Sequence, residues 1–592
     1  MRLTPQRICA EVLADRYAGS GEQSMAQVYI RVARSLAMAE PPGERDRIAA
    51  QFLRNLRLGA MGAGRIMANA GTASHTTMVN CFVQPVLCGG QTMEAFETAL
   101  AQAGVTLIMG GGVGYDFSSL PPMAAGDEGV PPAVCQAIDR YDEACSRLLF
   151  QGSRRGAQMA VLSCAHPDIL DFVRTKHGRA RWRTFNVSVA VTDAFMRAVQ
   201  HDEIWPLVHS ARPGAGAIVA GAAPHSDGRW CYRVARAREI WAEICRQTRH
   251  SSEPGLLYID TINRENNLRA LESIHATNPC GEQPLPDYGA CVLGPINLTR
   301  LVKNPFGLAG EPEIDLARLG SMTRIQVRML DNVIDLTRWP LPEQAREAHS
   351  KRRIGIGITG LADMLTMLRL RYDGDPGRSV AVQVARCIRD YAYAASAELA
   401  AERGAFPLYR QQDYLAPGSI GDALPVTVRQ AIQAHGLRNS HLVSFAPTGS
   451  VSLAFADNCS NGVEPAYDRE FRRRFRVKDG PAVEMLVENH AWRLWKRLSP
   501  ESTPLPDYFL YAADISPEDH IAMLAALQPY VDASISKTVL LPADCQAERV
   551  GALFMQGWQA GLKGLTMFRP DPALDEVLSP ASGPAQGCGA CC

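Results

Sequence analysis

The sequence predicts an α/β protein, and three observations carry the prediction. From Phe185 onward, β-branched runs (FNVSVAV, PGLLYID) alternate with helical stretches at 194–200 and 236–249, the pattern of βαβ units around a parallel sheet. Residues 1–65 show helical periodicity alone, with Ile8, Val12 and Leu13, then Val28, Ile30, Val32, Ala33 and Leu36 at helical spacing. Hydrophobic residues make up 46% of the 592 and charged residues 21%, the balance of a soluble globular chain.

Composition also excludes partners. Lys plus Arg equals Asp plus Glu at 61 each, so no nucleic-acid or membrane surface is expected, and any phosphate recognition must be local. The N-terminus carries charges throughout without a signal-like apolar core, and no run approaches the roughly 18 apolar residues of a membrane span. A cytoplasmic location is expected. There, sixteen cysteines are reduced, catalytic or metal-binding rather than structural disulfides. Cys9, Cys135, Cys145, Cys164, Cys245 and Cys387 have helical or apolar neighbours and read as core.

Taken in order, residues 1–65 form an N-terminal helical domain, 66–570 a large α/β domain and 571–592 a flexible tail rich in Pro, Gly, Ala and Ser. Cys81 sits in TTMVNCFVQPV, which reads as a buried strand. A helix is predicted over 92–107, and the GGGVGYDFS run after it reads as a backbone-permissive turn. That run lacks the GK[ST] of a phosphate loop. After the short strand LVSF comes APTGS, whose small residues let backbone N–H groups approach an anion. The tail ends in GCGACC. A CxxC made by Cys588 and Cys591 is half a zinc site without a second pair nearby, or a mobile dithiol able to exchange with a disulfide.

The stretch 277–299, TNPCGEQPLPDYGACVLGPINLT, organises the rest. Pro279, Gly281 and Pro284 crowd Cys280 and forbid a helix or a central strand there, so a loop is predicted. Alternation in an extended segment would turn Asn278, Cys280 and Glu282 to one side. Glu282 disfavours a thiolate and suits a general base on a substrate hydroxyl, and Asn278 offers both donor and acceptor to a polyol.

NPCGEQPLPDYGAC resembles the finger loop of ribonucleotide reductases, closest to the class II, adenosylcobalamin-dependent type. Further matches follow in family order: NAGT (69–72), NCFV (80–83), GGGVGYDFS (110–118), GSRRGAQM (152–159), HPDI (166–169), KRRIGIGITGLADML (351–365), APTGS (446–450) and SISKTV (534–539). The resemblance implies a ten-stranded α/β barrel with the finger loop at its centre, shielding a radical from water. It implies a thiyl radical on Cys280, Glu282 as base, Asn278 positioning the ribose and Cys81 with Cys291 as the redox pair. Pro447, Thr448, Gly449 and Ser450 would hold substrate phosphates. Cys588, Cys591 and Cys592 would form a redox tail, served by a thioredoxin- or glutaredoxin-type reductant.

Class follows by elimination. A class I chain needs adjacent tyrosines, and Tyr508 and Tyr511 are separated by Phe509 and Leu510; a class III chain needs a glycyl-radical segment, and none is found. Adenosylcobalamin remains the expected cofactor, with no contacting residue or metal ligand named, and overall similarity favours diphosphate substrates. The alternatives are a class I-like large subunit with a separate radical partner and a silent nucleotide-binding paralogue.

The chain also departs from the family. Cys88 and Gly89 replace an acidic effector contact, and the loop from Leu120 to Glu128 has no cation where the family has Arg-Pro. A lost or remodelled specificity site is expected, with the assembly either a monomer or a homodimer. The regulatory ATP-cone is not expected either. The basic run KHGRARWR (176–183) corresponds to the loop between effector and substrate, and Leu540 replaces the usual Asn.

Overall fold

The computed structural model describes residues 3–125, 131–148, 156–176, 181–474, 483–500 and 503–570, and the backbone alone of 475–476, 482 and 578–580. Residues 152–155, 177–180 and 126–128 of the motifs above, and Cys588, Cys591 and Cys592, lie outside the described residues.

The N-terminal periodicity becomes four helices, α1 (Arg7–Arg16), α2 (Met25–Leu36), α3 (Arg45–Leu58) and α4 (Gly64–Asn69). Ser24 caps α2 by accepting the Gln27 N–H, and Gly59 ends α3 in the left-handed region at φ 110°. Val28, Val32 and Leu36 are fully buried, which is the face the spacing marks.

The larger part is built on strands β1 (Cys81–Val83), β2 (Gly112–Asp116), β3 (Gln158–Ser163), β4 (Phe185–Val191) and β5 (Gly255–Tyr258). Next come a small hairpin, β6 (Ala276–Thr277) and β7 (Pro284–Leu285), then β8 (Ala290–Asn297) and β9 (Ile354–Thr359). A side sheet of β10 (Glu470–Arg476) and β11 (Ala482–Glu488) precedes β12 (Thr538–Leu540) and β13 (Gly564–Phe568), and β14 (Leu578–Pro580) adds to β10. The main sheet runs β9-β8-β1-β2-β3-β4-β5-β13-β12. Its pairs are parallel except at two seams, β1/β8 and β5/β13.

The sheet has nine regular strands where ten were expected. The tenth position is taken by the irregular LVSF segment, which bridges β9 through Ile356 and Val443 and reaches Ile535, just before β12, through Phe445. Asp532 explains the irregularity, because its carboxylate accepts the N–H groups of Leu442 and Val443, both at 2.9 Å. With this segment the barrel closes as two parallel halves of opposite direction.

Val187, Val189 and Val191 of β4 point outward into the main core, while Ala190 joins an inner cluster with Cys81, Val161, Leu257, Cys291 and Leu293. Two-residue alternation thus sorts the strand between helix-facing and barrel-facing sides. No helix among the described residues is long and apolar enough to cross a membrane.

The glycine run is more than a turn. Gly110, at φ 93°, makes the bend, but Gly112 to Asp116 is strand β2. A Cβ on Gly114 would sit 1.7 Å from the Thr277 carbonyl oxygen. Glycine is required there because the finger loop lies directly against the strand.

Candidate active site

The loop carrying Cys280 is a tight turn on the β6/β7 hairpin, which pairs Thr277 with Pro284. The Gly281 N–H donates to the Asn278 carbonyl at 3.0 Å. Asn, Pro and Gly at the first, second and fourth positions are the preferences of a type I turn. The extended reading of this stretch is therefore corrected: Asn278 and Glu282 stand at the two feet of a turn, each 2% exposed, and Cys280 is exposed at its apex. The shielding expected of the radical thiol does not come from burial of Cys280 in this chain alone.

The feet are locked. The Asn278 side-chain oxygen accepts the Gln283 N–H at 2.9 Å, and the Asn278 N–H donates to the Gln283 carbonyl at 3.0 Å. The Glu282 carbonyl accepts from the Ser444 hydroxyl and the Ser534 N–H, both at 3.0 Å. Asn186 of β4 donates to the Pro279 carbonyl at 2.9 Å, one peptide before Cys280. Sequence reading missed Ser444 and Asn186. Their signal was alternation, since Asn186 and Ser188 are polar residues at every second position of an otherwise apolar strand.

Cys81 and Cys291 are direct cross-strand partners at the β1/β8 seam. Opposed residues in an antiparallel pair lie about 4.5–5.5 Å apart at Cα, inside the range of roughly 4.4–6.8 Å that a disulfide spans. No bond joins the two sulfurs in this structure. Cys81 also joins the finger loop: Asn278 Nδ2 donates to its sulfur at 3.2 Å, and its thiol donates to Glu282 Oε1 at 3.6 Å.

Burial pushes the Cys81 thiol well above its ordinary value, with the Glu282 carboxylate adding to the shift. Burial likewise raises Cys291, against the pull of Arg353. Both stay protonated at neutral pH, which suits hydrogen donors better than nucleophiles. Glu282 is raised by burial as well. Its Oε2 is buried and accepts no hydrogen bond, so it is an acceptor aimed into the site.

At APTGS, Thr448 adopts a left-handed conformation (φ 54°) and caps the helix Gly449–Phe455. Its hydroxyl bonds Thr359 Oγ1 and accepts the Gly462 N–H, both at 2.9 Å, and the Ser450 hydroxyl accepts from Tyr17, the residue that follows α1, at 2.7 Å. The side chains are therefore structural. What the segment offers a ligand is backbone N–H groups at a helix start.

Where effector contacts were expected, the Cys88 sulfur meets the Tyr288 hydroxyl at 3.3 Å and Gln102 at 3.4 Å. The loop after Leu120 is tied back through the Met123 N–H, which Asp168 accepts at 3.0 Å. Among the described residues no group of His, Cys, Asp and Glu is arranged to hold a metal ion.

Residues 79–568 match the family model "Ribonucleotide reductase, barrel domain", and residues 3–75 match "Ribonucleotide reductase, all-alpha domain". The chain is 34% identical to a vitamin B12-dependent ribonucleoside-diphosphate reductase of Mycobacterium tuberculosis, across 96% of this chain and 80% of that protein. A protein of the same name from Thermoplasma acidophilum is 30% identical across 87% of this chain and 64% of its own. The ribonucleoside-diphosphate reductase large subunit of Vaccinia virus is 26% identical across 86% and 70%. Two family models in succession, on a barrel that brings Cys81, Asn278, Glu282 and Cys291 together, lead to one conclusion: the chain belongs to the ribonucleotide reductase family.

Proposed function

We propose that this chain is an adenosylcobalamin-dependent ribonucleoside-diphosphate reductase, converting ribonucleotides to 2′-deoxyribonucleotides and so supplying DNA precursors. The observation that carries the reading is the convergence of Asn278 and Glu282 on Cys81, with Cys291 opposite and Cys280 at the apex above them.

The residues fit the cofactor. Cys280 is the exposed member of an otherwise buried set, so a bulky radical source reaches its sulfur without entering the space beside Glu282. Adenosylcobalamin, when bound, supplies the radical that the protein uses. Tyr508 and Tyr511, the nearest approach to a class I relay, pack instead around Phe306, Trp495 and Phe509.

The chain's own groups then divide the work. Cys280 takes the 3′ hydrogen of the ribose, Glu282 Oε2 accepts the 3′-hydroxyl proton, and Asn278 orients the hydroxyls. Cys81 gives its proton to the departing 2′-hydroxyl, which leaves as water. Cys291 gives its hydrogen to C2′, the two sulfurs close to one disulfide and so supply two electrons, Glu282 returns its proton to the 3′ oxygen, and Cys280 recovers its radical when the 3′ hydrogen returns to C3′. The backbone N–H groups of Thr448, Gly449 and Ser450 hold the phosphates, with Pro447 fixing the turn that precedes them. Cys588, Cys591 and Cys592 reopen the disulfide by exchange and are themselves reduced by a thioredoxin- or glutaredoxin-type protein. We place the enzyme in the cytoplasm as a monomer or homodimer, with the division at 1–65, 66–570 and 571–592.

Anaerobic turnover of CDP, ADP and the matching triphosphates, with adenosylcobalamin and dithiothreitol, tests the reading. Product that requires the cofactor and is lost in Cys280→Ser is expected. Absence of product with every substrate moves the assignment to a silent paralogue.

A further inference from the structure

Strand β10 alternates strictly at its start: Phe471 and Arg473 are buried, while Arg472 and Arg474 are exposed. Arg472 has an outward partner in Glu484. Arg473 is only 6% exposed, and among the described residues no ion pair or side-chain hydrogen bond engages it. An arginine this buried keeps its charge and is costly without an anion.

The Arg473 side chain lines a cleft of about 980 Å³, including its mouth, whose walls also hold Pro447, Tyr467, Phe471 and Leu540. The nearby carboxylates are committed elsewhere. Glu464, on the same wall, is paired with Lys537 and accepts the Thr538 N–H. Asp457 holds His490 and Arg493. Among the described residues, the cleft therefore presents Arg473 as a cation without an ion-pair partner beside an apolar and aromatic surface, bordering the phosphate segment at Pro447.

We propose that this cleft is a binding site for a phosphate-bearing ligand and that Arg473 is the counter-ion of its phosphate. The proposal rests on the reductase reading, which supplies two sources of that chemistry: the phosphodiester of the cobalamin nucleotide loop and the diphosphate of the nucleotide. A planar guanidinium suits either, because it donates to two phosphate oxygens at once.

The test is equilibrium binding to the full chain, by calorimetry, of three probes: hydroxocobalamin, cobinamide (the same ring without phosphate and nucleotide loop) and CDP. In R473M, affinity for the phosphate-bearing ligand is expected to fall at least about thirtyfold, with cobinamide unchanged. A loss confined to hydroxocobalamin assigns the cleft to the cofactor's phosphodiester, and a loss confined to CDP assigns it to the nucleotide. R473K keeps the charge but not the fork, and guards against a folding defect in R473M with an expected loss of about tenfold. Unchanged affinity for both phosphate ligands in either folded variant overturns the proposal. Turnover in wild type alongside unchanged binding in R473M refutes the cleft assignment alone; absent turnover with phosphate-dependent binding refutes the reductase reading alone.

Discussion

Burial makes the stability of the fold depend on the protonation of Glu282. Its folded pKa is raised by burial, so the folded state holds a proton that the unfolded chain, with an ordinary value of about 4.3, releases. Stability is full below that value and falls as pH rises through the raised folded one. Glu282→Gln removes this slope and is expected to stabilise the protein at neutral pH by roughly 0.5–2 kcal/mol, measured as denaturation midpoints across pH, while turnover is lost. In the wild type the acid limb of kcat/KM should lie above about 4.3. The left-handed backbone of Thr448 costs roughly 1–2 kcal/mol, offset by two hydroxyl bonds worth about 0.5–1.5 each. Thr448→Gly should be near neutral in denaturant titration, and Thr448→Val destabilising by about 1–3 kcal/mol.

At the scale of elements, the finger hairpin is held by contact with β2. Gly114→Ala places a methyl against the Thr277 carbonyl, and neither backbone can yield without breaking a ladder. We expect a loss of about 1–3 kcal/mol and a larger loss of kcat than of substrate affinity, because the displaced part is the turn bearing Cys280. Strand β14 roots the tail beside the cleft, with Pro580 opposite Phe471 and Leu578 opposite Arg473. Cys588 lies eight positions after Pro580, a contour of at most about 29 Å. Replacing Cys588 and Cys591 by serine should abolish turnover driven by thioredoxin and spare turnover driven by dithiothreitol.

For the whole molecule, the two antiparallel seams decide the chemistry. β1 and β8 come from opposite halves of the barrel, and their contact alone sets Cys81 against Cys291. Burial pushes Asp168 up to about 6, and above that pH its charge faces the Met123 N–H at the stem of a loop whose described residues contain no cation. Titration with dTTP or dATP is expected to leave the preference among substrates unchanged; a large change would show a working effector site.

Motif order and alternation were sufficient to name the family, the buried β1 strand, the helix after Thr92 and the loop at Cys280, because each depends on residues close together in sequence. Four things required tertiary structure. Asn278 and Glu282 meet through a turn and not along a strand, since the Gly281 hydrogen bond reverses the chain. The tenth barrel position is irregular because Asp532, far along the chain, takes the amides a strand would have used. Asn186 and Ser444 support the finger loop from elements 93 and 162 residues away. Arg473 is buried between two exposed arginines, Arg472 and Arg474, a difference in surroundings set by the fold. Local patterns specify which face a residue occupies, and only the closed barrel decides what that face meets.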